Sequence, residues 1–354
     1  MDQAEFIEQQ KELNRLTSII SKGGTIKDCS HPVKEECRLP IKSAHSLQRQ
    51  GSLKLLEKTV KGNSFIYCHT ERQVNKKYNF LDLKPIGRKD ASTFYGFCDF
   101  HDTKLFKHIE NDPEATDIDN NLHCFLHTYR SFSHSYHRKY EEYKLFTSSE
   151  SEVLNYLNKF YGRDVDKITQ GIKLALQDLE IPKKRLDEIL INKNYEDLEY
   201  YCYQYPYKCP VSCAGVSTPG HFKNGSLFNL SDKENISYSD IFTTVLPFAE
   251  RTVIILAAFP DDLLGLKYLD ELNNISNELE FQKYLSFHII NNLENVYISP
   301  KFYDRKNYKW RQSYCQLINI ISDKYTPYIR YNKGFPINYF SYTEKISSQK
   351  STIT

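Results

Sequence analysis

Residues 98–110 read CDFHDTKLFKHIE, and residues 28–37 read DCSHPVKEEC. A Cys-x-x-His step that leads directly into a helix-like run, Asp102 to Glu110, presents two metal ligands on adjacent turns. Cys29 and Cys37 supply a second pair from an upstream loop. Zinc prefers four soft or borderline ligands in a tetrahedron, so Cys29, Cys37, Cys98 and His101 are the expected ligands of a structural Zn2+ ion. His31, Cys68 and His69 are rival ligands from the same region. The alternative is a set of ordinary buried thiols, because free cysteine is among the most buried residue types. A metal is favoured where a basic, loop-rich segment has little apolar material to fold on, since binding and folding are then coupled.

Working outward, the cysteine-bearing module spans residues 25–110. Residues 1–24 precede it as an amphipathic helix, with Phe6, Leu13, Leu16 and Ile20 on one stripe and Gly23-Gly24 as its stop. Residues 111–205 carry helical periodicity after an acidic linker around Pro113. Residues 206–346 form a mixed region in which Ile241 to Leu246 and Thr252 to Leu256 read as a hairpin. Residues 347–354 read as a disordered tail. The fold class is therefore α+β: a zinc-stabilised, treble-clef-like N-terminal module, a helical middle and a C-terminal part with a small β-sheet.

The chain has 354 residues, a hydrophobic fraction of 40% and charged residues at 26%. Those values and a mean hydropathy of -0.59 exclude both a disordered and a membrane-embedded protein. The start, MDQAEFIEQQ, lacks the basic and apolar character of a secretory signal, and no apolar run reaches membrane-spanning length. A cytoplasmic location is expected, and nine cysteines in such a chain read as thiols or ligands in preference to disulfides. Residues 22–97 hold 15 Lys and Arg against 7 Asp and Glu, a basic excess suited to DNA or RNA, although a solvated surface explains it equally well.

Between the two halves of the metal site, Ile41-Lys42-Ser43-Ala44-His45 ends a short apolar run on a histidine. Here residues 29–110 resemble the HNH endonucleases, treble-clef-like folds in which a histidine at a strand end is the general base. The resemblance implies His45 as catalytic base in a nuclease of a bacterial defence type, with a catalytic Mg2+ or Mn2+. The family's Asn and second metal-binding His have no counterpart on the following helix unless His101 or His108 serves.

A second pattern lies downstream. His123, His127, Arg130, His134 and His137 are spaced 4, 3, 4 and 3 and so share one helical stripe opposite Leu122, Phe125, Tyr129, Phe132 and Tyr136. The stripe reads either as a solvated face or as a nucleic-acid contact surface through Arg130, His134 and His137. Arg130 and His137 also fit loosely the Arg-x-His pattern of HEPN ribonucleases, helical enzymes that cut RNA without metal. A looser set, Cys202, Cys209, Cys213 and His221, reads better as buried thiols than as a second metal site. The functional expectation is a nucleic-acid-associated zinc protein with HNH-like nuclease activity. Its alternative is a non-catalytic, zinc-stabilised interaction protein with a protein or homo-oligomeric partner.

Overall fold

A computed structural model gives the fold over residues 24–148 apart from 39, 113 and 115, and over residues 155, 158, 164–226, 228, 239–318 and 335–341. The expected helix at 1–24, except its last residue, and the expected tail at 347–354 lie outside the described residues. The chain is mixed α+β with antiparallel sheets. It divides into two compact units, each assembled from separate stretches of sequence.

The first unit gathers the described residues of 1–44, 94–102 and 133–191. A loop with one 3-10 turn, Lys34–Glu36, leads to strand β1 (Ile41–His45), and β1 pairs with β5 (Thr93–Cys98) in a two-stranded sheet. The short helix α1 (Ser52–Leu56) belongs to the second unit, and helix α2 (Asp99–Glu110) starts in the first directly after β5. The unit also holds the second half of α3 (Asn121–Phe146) and nearly all of α4 (Val165–Asn192).

The second unit is built on an eight-stranded sheet in the order β2-β3-β10-β7-β8-β9-β6, with β4 also paired to the long strand β3. Its strands are β2 (Lys58–Val60), β3 (Asn63–Asn75), β4 (Phe80–Gly87), β6 (Glu199–Tyr205), β7 (Val211–Ser217), β8 (Ile241–Pro247), β9 (Thr252–Ala258) and β10 (Val296–Ile298). Strands β8 and β9 are buried at every position, which explains their unbroken apolar, β-branched texture: each face of the strand has something to pack against. On one face Ile254, Leu256 and Ala258 join a core with α5 (Leu263–Asn273) and α6 (Glu278–Asn292). On the other, Phe132 of α3 meets Phe242 at a centroid distance of 6.0 Å. The expected hairpin of 241–246 and 252–256 is β8-β9, in register from Phe242↔Ala257 to Pro247↔Thr252.

Two expectations differ from what folds. The C-terminal sheet is not small, because it recruits β2, β3 and β4 from within the stretch expected to form the zinc module. Tyr297 of β10 pairs with Cys68 of β3 and Ser212 of β7, so the N-terminal and C-terminal thirds share one hydrogen-bonded sheet. The connection from β2 to β3 is the two-residue turn Lys61-Gly62, with φ of 50° and 81°. Positive φ at both positions matches the right-handed twist of the flanking strands, and glycine takes the second without strain. The middle region is helical only up to Asn192, after which β6 enters the sheet beside β9.

Candidate metal centre

Four side chains of the first unit converge where β5 passes into α2. Cys29 and Cys37 come from the loop, Cys98 ends β5 and His101 lies in the first turn of α2. Their ligand atoms all lie within 4.8 Å of one another. His101 Nδ1 is 3.4 Å from Cys29 Sγ, 3.6 Å from Cys37 Sγ and 3.4 Å from Cys98 Sγ. A tetrahedral ion with metal–sulfur bonds of about 2.3 Å and a metal–nitrogen bond of about 2.0–2.1 Å sets its sulfur and nitrogen ligands about 3.6 Å apart. The donor set and its nitrogen–sulfur spacing therefore fit a metal ion such as zinc, with three thiols and one imidazole available as its ligands.

The backbone explains why the loop arrives there. Ser30 N–H donates to the Gly96 carbonyl at 2.7 Å and Asp28 N–H to the Tyr95 carbonyl at 3.3 Å, so Cys29 is laced to β5. Gly96 admits the ring of Phe94, which a Cβ would approach to 2.4 Å. The Lys34 ammonium donates to the Cys29 carbonyl, and Lys183 of α4 donates to the Ser30 carbonyl at 2.9 Å. His31 stacks on the His101 ring at 3.7 Å with planes 7° apart, and a Glu36 carboxylate oxygen lies 3.8 Å from Nε2, an electrostatic contact longer than a hydrogen bond.

Ionisation follows the same geometry. Burial works against the Cys98 thiolate, but the backbone N–H groups of His101 and Arg38 outweigh it and hold the thiol below its ordinary range. Cys29 is pushed the other way, to about 12, chiefly by burial. Among the described residues this is the single group of three or more Cys, His, Asp and Glu side chains placed to hold an ion. Cys68, Cys202, Cys209 and Cys213 are buried thiols. His69 serves elsewhere, 2.5 Å from the Tyr314 hydroxyl, and Cys202 lies 3.7 Å from Cys124.

His45 belongs to the second unit and is half-buried. Its Nε2–H donates to the Lys89 carbonyl at 3.2 Å. A carbonyl only accepts, so the proton sits on Nε2 and Nδ1 carries the lone pair. Burial first, and the Arg130 guanidinium second, lower its pKa to about 4; Arg49 adds to the fall while the Lys89 carbonyl and Glu110 oppose it. Sequence reasoning missed this company. Glu110, Arg49 and Lys89 carry no motif, and only the fold brings them to one imidazole.

The histidine stripe is neither a solvated face nor an open contact surface. His127, Arg130, His134 and His137 are only 3%, 2%, 8% and 2% exposed, and Phe125, Tyr129 and Phe132 on the opposite side are fully buried. Arg130 pairs with Glu110 at 2.6 Å and lies over the Phe106 ring. His137 faces Glu141 at 3.4 Å, and Phe94 meets the rings of His134 and His137. The side chains expected to contact nucleic acid are interior groups with protein partners, including both members of the HEPN-like pair.

No family model matches the chain, and no curated protein or solved structure shows significant similarity to it. Among the described residues no helix is long and apolar enough to cross a membrane.

Proposed function

We propose that the chain is a nucleic-acid-associated zinc protein in which zinc holds the loop, β5 and α2 together and His45 is the general base of an HNH-like phosphodiester cleavage. Three thiols and one imidazole supply all four ligands of a tetrahedral ion and so favour zinc in a structural role, since a fourfold protein shell would leave no position for water or substrate. The single observation that carries the catalytic reading is the state of His45: an unprotonated imidazole with Nε2–H fixed on a carbonyl, so that Nδ1 can accept a proton. In the proposed step Nδ1 takes a proton from water, the water oxygen bonds to phosphorus, and the bond to the leaving oxygen breaks as that oxygen is protonated by solvent. Exposed Arg49 supplies positive charge beside the imidazole. A bound phosphodiester would offset that charge and raise the basicity of His45 toward the neutral range.

The test is cleavage of single- and double-stranded DNA and RNA with Mg2+, with Mn2+ and without added divalent metal. We expect activity that His45→Ala lowers about a hundredfold or more with zinc content unchanged. The acid limb of kcat/KM should fall near the free-protein value of about 4. An intact, zinc-loaded protein that cleaves none of these substrates would overturn the enzyme reading, and the non-catalytic interaction protein would replace it.

A further inference from the structure

The second unit carries a basic and aromatic surface far along the sequence from His45. Residues 300–311 read PKFYDRKNYKWR, with cations and rings interleaved. They fold into the short helix α7 (Pro300–Tyr303) and the first turn of α8 (Tyr308–Ile318). Tyr78, in the turn between β3 and β4, stacks on Tyr308 with centroids 4.3 Å apart and planes 3° apart. Tyr308 is nevertheless 38% exposed, so the stacked pair presents aromatic surface to solvent. Cations frame the rings: Lys77 lies over Tyr78 at 5.0 Å, and Lys306 lies over Phe302 and Trp310 at 4.6 and 5.2 Å. Lys76, Lys77, Arg305 and Lys309 are exposed. Asp304, the lone acid of the segment, is paired with Lys58 at 2.6 Å.

Partly exposed rings, Tyr308 foremost, flanked by unneutralised cations complement a chain that is anionic along its length and offers flat apolar faces at intervals. Unpaired nucleic acid has that chemistry, because its phosphates repeat and its bases are free to stack. A duplex hides its base faces, and an acidic peptide lacks regularly spaced rings. We infer that the Tyr78–Tyr308 pair and its surrounding lysines form a docking platform for single-stranded nucleic acid, in which bases stack on the exposed rings and phosphates meet Lys76, Lys77 and Lys309. The inference takes its class of partner from the nucleic-acid reading above, but it requires no cleavage.

The experiment uses the full chain carrying His45→Ala, so that binding is measured apart from any cutting. Fluorescence anisotropy is read for a short single-stranded oligonucleotide, for its duplex, and for an abasic strand of the same length. The single strand should bind more tightly than either of the others. Tyr78→Ala with Tyr308→Ala should weaken it about tenfold or more, the range of one lost base–ring stack. Lys76→Ala with Lys309→Ala should weaken binding and flatten the logarithmic salt dependence by about 1.4, the share of two phosphate contacts on a single strand. The lysine pair and the abasic strand decide the matter if the tyrosine pair fails to fold, judged by zinc content and thermal melting. Equal affinity for the abasic strand or the duplex, or binding that ignores both pairs, would overturn the platform. Failure of cleavage alone would leave it standing and remove only the role of His45.

Discussion

His69, His127 and His134 are pushed down to about 3 and His288 to about 4, in every case mainly by burial. Their partners hold neutral rings: His288 lies between the Tyr268 hydroxyl at 2.8 Å and the Thr243 hydroxyl at 2.9 Å, and His127 meets Thr116 at 3.3 Å. The unfolded chain protonates such rings near 6.5, whereas the folded chain does so only far lower. Between those values the unfolded state binds more protons, so stability is full above about 6.5 and falls as pH drops. Each buried histidine contributes up to about 1.4 kcal/mol of loss per pH unit in that window. Denaturant unfolding at pH 7.5, 6.5 and 5.5 should therefore show a stability that declines with acidity, less steeply in His288→Asn. A stability that holds constant or rises toward pH 5.5 would contradict the assignment. At this scale the sequence exposes residue type but not surroundings. His134 and His137 look alike on a stripe whether that stripe faces water or Phe94, because helical period reports a shared side and not what covers it.

Elements divide by whether their cues are local. Strands β8 and β9 were legible because a strand buried on both faces carries an apolar run that needs no partner to be recognised. Helix starts are equally local: Asp262 accepts from Gly265 N–H at 2.9 Å and Asn277 from Glu280 N–H at 3.0 Å, side-chain caps of the residue types that favour this role. The place of strand β3 in the sheet is not local. Its pairing with β10 joins Cys68 to Tyr297, and no neighbouring residue signals so distant a partner. These differences set expected magnitudes. Ile254→Ala removes a fully buried side chain from the middle of the sheet and should cost about 2–5 kcal/mol of stability. Asn277→Ala removes one cap and should cost about 1 kcal/mol. Chemical denaturation of both variants checks the order, and an Asn277→Ala loss equal to or above that of Ile254→Ala would contradict the placement of β9 in the core.

For the whole molecule, the organisation is discontinuous. The four residues placed to hold a metal in the first unit span from Cys29 to His101, and most of the sequence between Cys37 and Cys98 belongs to the second unit, whose sheet takes β2, β3 and β4 from it. The ligands were legible from residue type and from the helix start after Cys98. The supporting groups, Lys34, Glu36 and Lys183, were not, because ordinary surface residue types become positioning groups only through the fold. A cluster of three thiols and one imidazole, enough for a full tetrahedral shell, is the feature on which the proposed structural role of zinc rests. Zinc K-edge X-ray absorption on the purified full-length protein, paired with elemental analysis, tests it most directly. The account predicts about one zinc per chain with three sulfur ligands at about 2.3 Å and one nitrogen at about 2.0–2.1 Å, and Cys98→Ser should lose both the ion and thermal stability. A protein that folds without zinc, or a shell dominated by oxygen, would contradict it.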